Sequence, residues 1–184
     1  MLKSWTTSIN TLSRFLTIVV FGCSVISCTE NQTTNKQKSV SKTTEESLLK
    51  ANRYLVRSEE ENIQDFLVRY KWDMESTGTG LRYLIEPSGS GTKVQYGNLV
   101  TLSYTIRLLS GDIVKSSDRE GLMKFTAGKG GVEAGLEEGI KMMRKGDKAK
   151  FILPSHLAFG LLGNGDNIPS KATLVYEIEI TDIQ

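Results

Sequence analysis

The sequence predicts an α+β domain, in which several antiparallel strands surround one short helix and an α-helical segment precedes them. Three observations predict it. Short runs of period-two alternation are separated by glycine-rich turns; in ATLVYEIEITDI, Leu174, Tyr176, Ile178 and Ile180 alternate with Val175, Glu177, Glu179 and Thr181, a strand with one buried face. One amphipathic helix, Val132 to Met143, lies between the Gly128-Lys129-Gly130-Gly131 turn and the Lys145-Gly146-Asp147 turn. Upstream, Ile63, Phe66, Leu67 and Tyr70 fill the i, i+3, i+4, i+7 positions of a helix face.

Composition bounds the rest. A chain of 184 residues holds one domain of ordinary size and an appendage, not two large domains. Charged residues make up 24% of it with a net charge of +2, so no basic stripe or acidic tail points to a nucleic-acid partner. Both cysteines, Cys23 and Cys28, fall inside the first hydrophobic run. With that run removed or lipidated, neither a disulfide framework nor a thiolate metal site remains, and no metal or cofactor is expected. His156 is the single histidine, and it reads as a polar loop residue at a strand end rather than part of a triad or a multi-histidine metal site.

In chain order, residues 1–14 carry Lys3 and Arg14 and no acid, and FLTIVVFGCSVISC follows. This is a basic region and an apolar run too short for a comfortable membrane span, which needs about 20 residues. Val25-Ile26-Ser27-Cys28 resembles a bacterial lipobox, which makes residues 1–27 a signal peptide and Cys28 the lipidated first residue of the mature chain, its link to a membrane. Cys23 is a looser competing site, and a plain signal peptide or uncleaved anchor is the alternative. Residues 28–43, rich in Thr, Asn, Gln, Lys and Ser, read as a flexible polar tether. A helical extension follows over 44–75, capped by Thr43 or Thr44, with Arg57 to Asn62 interrupting the apolar stripe; it is one helix with a solvated middle or two shorter ones. It either packs against the main domain or serves as a dimerisation arm, and the oligomeric state stays open.

The domain proper spans 76–184. Gly78-Thr79-Gly80 ends the helical region, and a strand follows on Leu81, Tyr83 and Ile85. The Pro87–Gly91 turn leads to LVTLSYTIRLL, then to the Ser110-Gly111-Asp112 hairpin turn and IVKSS. A polar loop at Asp118 to Gly121, the strand LMKFTAG, the central helix, the strand KAKFILP and a long loop over Leu157 to Lys171 complete the chain before its closing strand.

The segments VTLSYTIRLLSG, SSDREGLMKFTAGKGGVEAGLEEGIKMMRKGDKAKFILP, AFG, NIP and ATLVYEIEI resemble the FKBP-type peptidyl-prolyl isomerases. They occur in family order from about Gly97 to the chain end, and G-L-E-E-G-I followed by M-x-x-G-D-x-A-K-F-x-L-P is the most specific part. The resemblance implies a twisted antiparallel β-sheet wrapping one short α-helix, with an apolar pocket between them. Its activity would be cis-trans isomerisation of X-Pro bonds in proline-containing polypeptide clients. Amide resonance sets that barrier at about 20 kcal/mol, crossed uncatalysed in tens of seconds. A dry apolar pocket disfavours the charge-separated planar amide relative to the twisted transition state, so the site needs aromatics, aliphatics and a few donors but no nucleophile.

Carried over residue by residue, the resemblance places Tyr104, Phe125, Leu136, Phe159 and Tyr176 as catalytic pocket residues, with Leu136 as the floor where many members have tryptophan. Val114, Lys115, Met123, Val132, Glu133 and Ile168 become substrate-binding positions, and the Glu133 backbone N–H is aimed at a substrate carbonyl. Three departures stand out: Lys115 replaces the usual acid, Val114 the aromatic before it, and Phe159 a tyrosine whose hydroxyl is a donor. Each pocket residue also fits ordinary core packing. The glycine turn at 128–131 lacks a P-loop ending, and Glu137 and Glu138 read as a solvated helix face rather than an acid/base pair.

The expectation is therefore a lipid-anchored isomerase assisting the folding of exported proteins. It would face the periplasm, with the outer membrane preferred to the inner. The rivals are an FKBP-fold binding module or chaperone with weak or no turnover, and a structural envelope lipoprotein acting through its helical segment.

Overall fold

A computed structural model describes residues 33–86 and 91–184; the segment expected to be a signal peptide, both cysteines including Cys28, the start of the expected tether and most of the expected Pro87–Gly91 turn lie outside the described residues. The chain divides into two units at Asn52/Arg53. The described part of the first is helix throughout, and its side chains from Thr44 on are exposed.

Helix α1 spans Thr33–Tyr70 without a break. It starts ahead of the expected Thr44, so residues 33–43, read above as flexible tether, are helical. No Pro or Gly occurs between Thr33 and Thr77, and nothing in that stretch stops a helix from growing backward from its apolar turns. The helix also ends earlier than the glycines at 78 and 80, with Lys71 at φ 55°, and Trp72 N–H returning to the Leu67 carbonyl at 3.1 Å. The Arg57–Asn62 interruption is neither a break nor fully solvated. Glu59 and Glu60 there are half-buried and bind the domain. No helix of the described residues is long and apolar enough to cross a membrane.

The second unit is built on a seven-stranded antiparallel sheet. Its strands are β1 Glu75–Ser76, β2 Arg82–Glu86, β3 Leu99–Leu108, β4 Ile113–Ser116, β5 Met123–Thr126, β6 Lys148–Leu153 and β7 Leu174–Ile183. The order is β1-β2-β6-β7-β3-β4, and β5 continues the β3 edge beyond β4. The two-residue β1 lies at the point where the sequence predicts the helical extension to end. Gly111, at φ 100°, makes the β3–β4 turn, where its N–H reaches the Leu108 carbonyl at 2.9 Å. The expected polar loop after β4 contains a one-turn helix, α2 Ser117–Glu120.

The central helix α3 is shorter than predicted, Ala134–Ile140. Its two inward glycines set how close it comes to the sheet. A Cβ on Gly135 would lie 2.5 Å from Leu153 Cγ, and one on Gly139 would lie 2.6 Å from the Phe151 ring. The glycine spacing thus makes a bare strip on which the large residues of β6 rest.

Burial falls into two clusters on opposite faces of the sheet. The larger gathers Leu102, Tyr104, Ile106, Phe125, Leu136, Ile140, Phe151, Leu153 and Tyr176 with their neighbours under α3. The smaller joins Ile63 and Phe66 of α1 to Ile152 and Val175, with Leu67 and Trp72 packed beside them. This corrects the expectation of one buried face for the closing strand. Val175 is 1% exposed because α1 covers the face that alternation assigns to solvent. Phe66, Tyr70 and Trp72 pack against one another, Phe66 edge-on to Trp72, with the Phe66 and Tyr70 centroids 4.3 Å apart and Lys150 Nζ 4.8 Å above the Trp72 ring.

Candidate functional site

The candidate site lies between α3 and the sheet. Three strands and a helix supply its floor: Tyr104 from β3, Phe125 from β5, Tyr176 from β7 and Leu136 from α3 belong to one buried cluster, with Ile168 from the long loop and Val114 from β4. Met123, Val132 and Phe159 pack against that cluster and stay partly exposed, as a rim must. Strand alternation brings Tyr104 and Tyr176 inward, while α3 presents Leu136, which is fully buried.

The remaining candidates behave differently. Lys115 is half-buried and outside the cluster. It pairs with Ile106 across the β3–β4 ladder, on the sheet face that Tyr104 shares, and a bulge there sends the adjacent Val114 into the core. The Val114 carbonyl accepts a hydrogen bond from Asn167 Nδ2 at 2.7 Å, which ties the loop beside Ile168 to β4. Glu133 N-caps α3, and its carbonyl takes the Glu137 N–H at 3.0 Å. Its own N–H has no acceptor among the described residues. His156 lies exposed in the 3₁₀ turn Ser155–Leu157, with Nε2 donating to the Thr79 carbonyl at 2.9 Å.

Two phenols define the site's polarity. Tyr104 Oη donates to Glu120 Oε2 at 3.3 Å, and burial followed by that carboxylate raises its pKa. Tyr176 Oη is buried and has no hydrogen-bond partner among the described residues. Burial raises its pKa most, and the nearby Glu133 carboxylate adds to the effect. Both phenols therefore stay neutral through the ordinary pH range. An unpaired buried hydroxyl carries a desolvation cost of about 1–3 kcal/mol. With no partner in hydrogen-bonding geometry, Tyr176→Phe is expected to leave stability unchanged or raise it by about 1 kcal/mol, measured from the urea midpoint; a clear loss would mean that the hydroxyl bonds the nearby Glu133 carboxylate.

Sequence reading missed Glu120. The carboxylate that Tyr104 bonds comes from α2. No sequence signal marks it: the N-cap of α2 is Ser116, with no side-chain cap bond, so Glu120 stands out of frame for a capping box. The Tyr104 N–H also bonds Ser117 Oγ at 3.3 Å, so α2 and β3 hold each other. Glu137 and Glu138 diverge as expected but are not merely solvated. Glu137 Oε2 accepts the Gly128 N–H at 2.8 Å, and Glu138 Oε2 accepts from Thr79 Oγ1 at 2.7 Å, so both pin turns that flank α3.

An antiparallel sheet packed on a short helix, with an aromatic and aliphatic floor at their contact, defines the FKBP-like class of α+β domains. The model for the FKBP-type peptidyl-prolyl cis-trans isomerase family matches residues 90–181. The chain belongs to that family. It is 38% identical over 115 residues to the FKBP-type peptidyl-prolyl cis-trans isomerase FkpA of Aeromonas hydrophila, covering 62% of this chain and 42% of that one. It is 32% identical over 112 residues to a probable FKBP-type peptidyl-prolyl cis-trans isomerase of Haemophilus influenzae, covering 60% and 46%. The chain thus spans less than half the length of these relatives. Among solved structures, the crystal structure of AtFKBP13 superposes with a TM-score of 0.59 at 26% identity, over 61% of this chain and all of that one. FkpA from Escherichia coli gives 0.62 at 24% identity over 94% of this chain and 82% of that one, a likeness of fold that takes in the N-terminal helical region.

Proposed function

We propose that this protein is a peptidyl-prolyl cis-trans isomerase acting on proline-containing segments of polypeptides. One observation carries the reading: Tyr104, Phe125, Leu136, Ile168 and Tyr176 form a single buried floor, against which Met123, Val132 and Phe159 pack as a partly exposed rim. A proline ring held there sheds water around its amide, which favours the twisted transition state. The open Glu133 N–H is suited to a flanking carbonyl, and the neutral Tyr104 phenol, steadied by Glu120, adds a polar contact without charge. Neither is a nucleophile, and none is needed.

The test is cis-to-trans isomerisation of an X-Pro tetrapeptide in a protease-coupled assay. The expected rate rises in proportion to protein concentration, and a rate equal to the uncatalysed one overturns the assignment. A binding module with little turnover is the second reading, favoured by Lys115 beside the Tyr104 face and by Phe159, which lacks a hydroxyl. The same assay separates the two, because a large gain in the Lys115→Asp, Phe159→Tyr double variant would mark the natural site as tuned to binding.

The place of action we infer is the cell envelope, lipid-anchored through Cys28 and facing exported clients. The support is the lipobox-like Val25-Ile26-Ser27-Cys28 after a short apolar run. Labelled palmitate that persists in Cys28→Ser would exclude that cysteine as the anchor.

A further inference from the structure

We propose that Glu59 of α1 is a positioning residue for the rim of the pocket, so that the N-terminal helix sets how the site receives its substrate. The proposal rests on the isomerase reading for its kinetic consequence and on geometry for the rest. The loop between β6 and β7 carries two pocket residues, Phe159 and Ile168. Its feet are Ser155, two residues after the end of β6, and Thr173, immediately before β7.

One carboxylate holds both feet. Glu59 Oε1 accepts the Ser155 N–H at 2.6 Å and Thr173 Oγ1 at 2.7 Å, and Oε2 accepts Ser155 Oγ at 3.1 Å. Ser155 and Thr173 are buried, so each of these bonds is poorly replaced by water. From Ser155 the order passes on directly. Its carbonyl takes the N–H groups of Ala158 at 3.1 Å and Gly160 at 2.7 Å, the two neighbours of Phe159, and the Gly160 carbonyl takes Lys171 N–H at 3.0 Å. Farther along the loop, Asn164 Oδ1 accepts the Ile168 N–H at 2.8 Å while the Asn164 N–H returns to the Ile168 carbonyl at 3.1 Å. The loop is thus internally braced, and Glu59 fixes its base.

Docking of α1 does not depend on this carboxylate. Ile63 and Phe66 bury against Ile152 and Val175, and Glu60 pairs with Arg82 at 2.5 Å. Removing Glu59 therefore loosens the loop before it frees the helix. Glutamine keeps the shape and one acceptor oxygen, so Glu59→Gln sits between wild type and Glu59→Ala.

The experiment compares wild type, Glu59→Ala, Glu59→Gln and the neighbouring control Glu60→Gln in the full chain, by amide exchange and by tetrapeptide kinetics. In Glu59→Ala, exchange across residues 155–173 is expected to rise about tenfold, the scale of losing one to two hydrogen bonds, while the β2–β6 ladder keeps its protection. KM rises more than kcat falls, Glu59→Gln recovers part of both changes, and Glu60→Gln matches wild type. Unchanged exchange at 155–173 in both Glu59 variants overturns the proposal. So does a uniform rise over the whole domain, which would mark Glu59 as a general stabiliser. If Glu59→Ala does not fold, Glu59→Gln decides by the same local-against-global pattern. If wild type shows no isomerase activity, the functional assignment falls while exchange still tests the positioning.

Discussion

Replacing Phe151 by alanine is expected to lower stability by about 3–5 kcal/mol, seen as a fall in the urea midpoint at nearly constant slope. That is a large part of the 5–15 kcal/mol that holds an ordinary domain together. The ring is fully buried, pairs across the ladders with Tyr83 and Tyr176, and supports α3 at Gly139. The same contact can be tested from its other side. Gly139→Ala puts a methyl where the ring now sits and is expected to cost about 1–3 kcal/mol. In the Phe151→Ala, Gly139→Ala double variant the methyl enters the vacated space, so the combined loss should be smaller than the sum of the two. Strict additivity would mean that the helix and the ring do not press on each other.

The second large effect concerns α1. Ile63→Ala should cost about 2–5 kcal/mol, whereas Leu48→Ala, at an exposed position of the same helix, should change stability by less than about 0.5 kcal/mol. Chemical denaturation of the full chain measures both. Ile63 is 1% exposed because it closes over Ile152 and Val175, and its removal opens that second cluster. If the helix were only an appendage, both substitutions would be silent.

Most of the domain was legible because its strands alternate and its turns carry glycines. The strands β3, β6 and β7, the hairpin at Gly111 and the helix around Leu136 follow directly from pattern, though not which strands pair. What pattern could not supply was anything depending on two distant segments. Val175 reads as a solvent-facing residue until α1 lies over it, and Glu59 and Glu60 read as a charged interruption until Ser155, Thr173 and Arg82 come to meet them. The site divides in the same way. Its apolar positions, Tyr104, Phe125, Leu136, Ile168 and Tyr176, were assigned from the family resemblance and converge in space. The charge partner of Tyr104 was missed because Glu120 reaches it through a one-turn helix read as loop. Residues 33–43 misled for another reason: lack of apolar groups predicts absence of a packed core, which is not the same as absence of helix.

The position of β7 has a consequence for assembly. It comes last of the strands in the chain yet lies at the middle of the sheet, with β6 on one side and β3 on the other, in pairings such as Leu102 with Ile180. Until it arrives, β3 presents a long apolar edge with open backbone donors and acceptors, the arrangement most exposed to pairing with a neighbouring chain. Because the connections it closes are distant in sequence, this topology belongs to the slower-folding kind. A protein that we assign to hastening the folding of others thus carries, in its own central strand, a step that must wait for nearly the whole described chain to be available.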